Sequence, residues 1–147
     1  MKRLGLILLA ATLAFVGVEV EAADNDLDRL QGTWSMVALE RNGKAATAER
    51  IKDRVVVIEG STFVDRTGDK IHGKGTIKLD PAQTPGAVEA TFTEGPPKGK
   101  TALGIYAIDG DTFKACCGEP GDDERPMAFA TRPGSGQMFV VLRRAKP

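Results

Sequence analysis

The chain has 147 residues, with 20 basic and 20 acidic side chains and a formal net charge of zero. That length suits one domain and is short for two, and a balanced charge leaves no electrostatic footprint for DNA, RNA or anionic lipid. Hydrophobic residues make up 41%, with glycine and proline scattered along the chain, which excludes a disordered tail and fits a globular domain with many turns.

Lys2 and Arg3 precede an uncharged run over residues 4–18, rich in Leu, Ala and Val. The run falls short of the roughly 20 apolar residues that cross a bilayer. Val20-Glu21-Ala22 then offers small residues at the −3 and −1 positions of a cleavage site. Charged start, apolar middle and small-residue exit predict a secretory signal peptide over residues 1–22. A domain over 23–147 would remain, exported to the periplasm or the extracellular space, with no membrane span after cleavage. An uncleaved anchor helix is the alternative. No cysteine stands at the cleavage point to suggest a lipid anchor.

Residues 24–30 predict one short helical turn, with Asp or Asn as cap and Leu27 and Leu30 on one face. After Gly32, Trp34, Met36 and Ala38 alternate with Ser35, Val37 and Leu39, the period of a strand that Asn42-Gly43 ends. Residues 45–52 predict two turns of helix. Residues 55–58 and 62–64, joined through Glu59-Gly60, predict a hairpin. Residues 71–79 predict a strand with Gly75, Ile77 and Leu79 on one face and His72, Lys74, Thr76 and Lys78 on the other. Val88, Ala90 and Phe92 alternate with Glu89, Thr91 and Thr93 in the next. Strands over 102–108 and 112–117 flank Asp109-Gly110, a polar loop over 118–125 leads to residues 127–130, and a last strand covers 137–143.

Eight or nine short strands, hairpin turns and two brief helices predict an all-β fold, since a parallel sheet needs long crossovers. A small antiparallel barrel is favoured over a sandwich because closure removes exposed edges, which few prolines here protect. Trp34, Met36, Ile77, Leu79, Val88, Phe92, Phe113, Val140 and Leu142 are the expected interior.

Gly32-x-Trp34, preceded by a helical turn, resembles the start of lipocalin-like barrels. That resemblance implies a basic residue from the last strand packed over the tryptophan, a place that Arg143 or Arg144 can fill. Leu30-Gln31-Gly32-Thr33-Trp34, residues 75–81, 100–106 and 108–112, Arg125-Pro126 and Pro133-Gly134-Ser135-Gly136 together resemble a secreted planctomycete domain family. The likeness covers residues 30–144. It implies a lipocalin-like fold and no particular activity. Cys116-Cys117 departs from that family's pattern.

Candidate sites have competing readings. Trp34 is either the floor of a ligand cavity or a core plug, and burying about 200 Å² of indole, worth roughly 5 kcal/mol, suffices to explain it. Cys116 and Cys117 fall on opposite faces of a strand, with Cys117 inward. They are a strained disulfide, a soft-metal pair short of further ligands, or a buried thiol beside a free one. His72, the single histidine, reads as exposed between lysines, and neither a nucleophile nor an orienting partner accompanies it. Residues 95–101 lack phosphate-loop spacing, and Asp122-Asp123-Glu124 lacks the spaced ligands of a calcium loop.

The expectation is an exported, non-enzymatic binding module for a small apolar or amphipathic molecule, with no cofactor, no metal and no nucleic-acid partner. Trp34, Met36, Phe92, Tyr106 and Phe113 are the expected ligand-facing residues. The alternative is a structural or protein-interaction domain of the cell envelope, with a filled core and an exposed apolar patch of Val37, Leu39, Phe139 and Val141.

Overall fold

A computed structural model describes residues 25–146. The expected signal peptide lies outside the described residues. Helix α1 covers residues 25–30. Then come β1 (Gly32–Arg41), β2 (Lys44–Ala45), α2 (Ala48–Ile51), β3 (Arg54–Glu59), β4 (Thr62–Thr67), β5 (Lys70–Asp80), β6 (Gly86–Glu94), β7 (Thr101–Asp109), β8 (Thr112–Cys117) and β9 (Met138–Arg144). From β3 to β9 each strand pairs antiparallel with the next, and β1 pairs with both β3 and β9. The result is a closed eight-stranded barrel, with β2 extending the β1 edge beyond the end of β3.

Local sequence explains the turns. Asn42 and Gly43 both take positive φ (53° and 78°), as a two-residue turn matching the twist of its strands requires, and Arg41 pairs directly with Lys44. The ninth strand is therefore β2, while residues 127–130 form none. They belong instead to a strap, residues 118–137, whose Phe129 and Ala130 lie against the outside of β8 and β9. Thr131 donates from its amide (3.1 Å) and hydroxyl (2.6 Å) to the Glu40 carboxylate, which these bonds hold below its ordinary pKa. Phe129 packs on Phe139 with ring centres 6.1 Å apart.

Each of three strands carries one extra residue. Val37 on β1 has no partner, since Met36 faces Leu142 and Ala38 faces Val141. His72 is extra on β5 and Thr93 on β6. Such bulges bend a strand and reverse its inside–outside phase. Beyond Val37, Leu39 therefore packs on the core and Ala38 is exposed. Leu39 accordingly leaves the expected outer patch. Val37 is 42% exposed, Phe139 lies under Phe129, and Val141 is half-buried.

Buried side chains plug one end of the barrel. Leu30, Trp34, Leu79, Tyr106, Phe113 and Leu142 are all buried there. Trp34 Nε1 donates to the Leu30 carbonyl (2.8 Å), and the Tyr106 hydroxyl donates to Asp26 (2.6 Å), so α1 is tied across this end as a lid. Gly75 permits the wall to close, because a Cβ there would lie 2.0 Å from the Thr91 carbonyl oxygen.

Candidate ligand cavity

Above the plug, the inward side chains leave a cavity with two compartments. The deep one, about 130 Å³, is walled by Met36, Ile58, Phe63, Val88, Phe113 and their apolar neighbours. The outer one, about 340 Å³, is bordered by Arg41, Arg54, His72, Lys100 and Glu119. Asp65, Phe92, Cys117 and Met138 line both, and so form the neck between them.

Strand phase places these groups. Arg54 shares the inward phase of Val56 and Ile58, and Asp65 that of Phe63 across the β3–β4 pairing. Arg54 binds Asp65 through two bonds, Nε to Oδ1 at 2.8 Å and Nη2 to Oδ2 at 2.7 Å, with both side chains under 15% exposed. This fork-to-fork geometry neutralises both charges at the neck.

Arg41 faces Met138 across β1 and β9, and its Nη2 donates to the Met138 thioether (3.1 Å). Among the described residues, neither Arg41 nor Lys100 has a carboxylate within ion-pair distance. His72, expected on an outer face, borders the mouth instead because it is the bulged residue of β5. It shares a 2.8 Å hydrogen bond with Thr67 Oγ1. Desolvation first, and then the positive charge of Arg54, lower its pKa and favour the neutral ring at pH 7.

Cys116 and Cys117 are both free. They occupy opposite faces in adjacent cross-strand rows: Cys117 between Gly104 and Met138 inside, Cys116 between Ile105 and Phe139 outside. The sulfurs point away from each other, so the disulfide considered from sequence is not formed and would require the end of β8 to unravel. The Cys116 thiol donates to Ala130 O of the strap at 3.5 Å. Cys117 is half-buried and lines both compartments, and its removal from bulk water, reinforced by Cys116, pushes its thiol up to about 12. No three His, Cys, Asp or Glu side chains gather as a metal site among the described residues.

Of the residues expected to face a ligand, Met36, Phe92 and Phe113 line the cavity. Trp34 and Tyr106 do not, because they form the plug beneath it. Sequence reasoning missed Arg41, Arg54, Asp65, Lys100 and Met138. The inward phase of Arg54 and Asp65 was available from their hydrophobic neighbours, whereas that of Arg41 is hidden by the bulge at Val37. No family model, curated protein or solved structure matches the chain.

Proposed function

We propose that this protein is an exported, non-enzymatic binding module for a small apolar or amphipathic molecule. The observation that carries the reading is the pairing of an apolar compartment of about 130 Å³ with a polar one of about 340 Å³ at its mouth. Ligand pockets combine apolar walls with a few placed polar groups in this way. A non-enzymatic role fits the chemistry of the neck. Cys117 keeps its proton, Arg54 and Asp65 satisfy each other, and His72 is engaged by Thr67. Export rests on the signal-like residues 1–22. Arg144 over Trp34 supports kinship with secreted lipocalin-like domains.

The test is mass spectrometry of protein exported and purified without reductant, under native and then denaturing conditions. The expected result is an additional mass that survives only in the native spectrum. A bare chain that also fails to take up hydrophobic probes would favour the structural domain of the envelope. A mass beginning at Met1 would overturn export with cleavage.

A further inference from the structure

Resting on that reading, we propose that the cavity selects an amphiphile with a single anionic head, held at the mouth by Arg41 and Lys100, with a short tail in the deep compartment. Three fixed cations border the mouth, but Arg54 is held bidentately by Asp65. Arg41 has a thioether as its side-chain acceptor, a weak partner for a guanidinium with five donors. Lys100 has no carboxylate within 4.0 Å among the described residues. Glu119 is the opposing charge on this rim, and its side chain lies against Gly136, with Oε2 2.9 Å from where a Cβ would stand. Two unpaired cations against one carboxylate leave the rim with a net positive charge.

Geometry then orients the ligand. Met138 walls both compartments, so the guanidinium bonded to it stands beside the neck. Below the neck the walls are apolar, and a charged group carried past it would lose its hydration without a partner. The head therefore remains at the mouth, where a planar carboxylate matches the donor fork of Arg41. Tail length follows from volume. An apolar cavity of about 150 Å³ accepts benzene, so the deep compartment, at about 130 Å³, suits a tail of about six carbons below the neck.

The experiment is calorimetric titration of the purified, delipidated protein with octanoate, 1-octanol and octylamine at low and high salt. Octanoate should bind about tenfold more tightly than octanol, as one charge-assisted contact predicts, and only its affinity should fall with salt. Arg41→Met should erase the advantage of octanoate, and Glu119→Gln should increase it. Because Arg41 is exposed, a circular-dichroism spectrum matching the parent shows that Arg41→Met folds. Equal binding of all three probes, or preference for octylamine, overturns the head-group assignment while leaving the binding module intact. Failure of all three to bind overturns both.

Discussion

The guanidinium of Arg144 lies 4.4 Å from the centre of the Trp34 ring and donates to the carbonyls of Gln31 (2.8 Å) and Arg29. One side chain on β9 thus covers the plug and meets carbonyls at the C-terminal end of α1. Both the cation–π contact and the position at a helix C-terminus favour a positive charge. Arg144→Met should destabilise the fold by about 1–3 kcal/mol, with Arg144→Lys losing less. Urea unfolding followed by Trp34 fluorescence measures both, and an unchanged midpoint for Arg144→Met would refute the latch.

Gly75 faces a wall with no room for a side chain. Gly75→Ala should cost at least about 2 kcal/mol, because the Thr91 carbonyl must move and carry β6 with it. Gly60→Ala meets no atom within 4 Å, although its φ of 59° adds strain. Comparing the two melting temperatures separates steric exclusion from backbone conformation. A smaller loss for Gly75→Ala than for Gly60→Ala would contradict the close approach.

Alkali should weaken the fold. Cys117 holds its proton to about 12 against an ordinary 9, chiefly through burial, and burial followed by the bond to Asp26 also raises Tyr106. The folded chain then binds protons that the unfolded chain has released, so stability is full below about pH 9 and declines as pH rises toward 12. Urea midpoints at about pH 8 and about pH 11 should show the decline. Cys117→Ala should flatten part of it, and iodoacetamide should leave native Cys117 unmodified at about pH 8. Rapid alkylation of Cys117 in the folded protein would contradict its raised pKa.

Ala90 lines the deep compartment. Ala90→Leu places an isobutyl group in that space, so it should abolish uptake of an apolar probe while raising stability by about 0.5–2 kcal/mol. Calorimetry and thermal unfolding read the two effects separately. Retained probe binding in a stably folded Ala90→Leu protein would place the ligand elsewhere.

Much of this architecture is legible in the sequence because turn signals and period-2 alternation are local. The pairs Val88/Phe92 and Val140/Leu142 fall inward as their spacing requires. Arg144 rather than Arg143 covers Trp34 for the same reason, sharing the phase of Val140 and Leu142. Legibility ends at the bulges. One unpaired residue at Val37 carries Leu39 and Arg41 to the interior phase, and one at His72 brings an imidazole to the mouth. Nothing in either segment's composition marks the extra residue, which exists only relative to a partner strand. Two rim residues, Arg41 and His72, inherit that difficulty.

The pairing of β1 with β9 sets an order of events during synthesis. Every other barrel pairing joins strands close in the chain, but Trp34 must wait for Arg144, and Arg41 for Met138. Contacts of such sequence separation form slowly, and a ribosome finishes β9 after all its neighbours. Until then β1 has a free edge and Trp34 lacks its cation. A nascent chain stalled before β9 exposes a strand edge that other copies could capture.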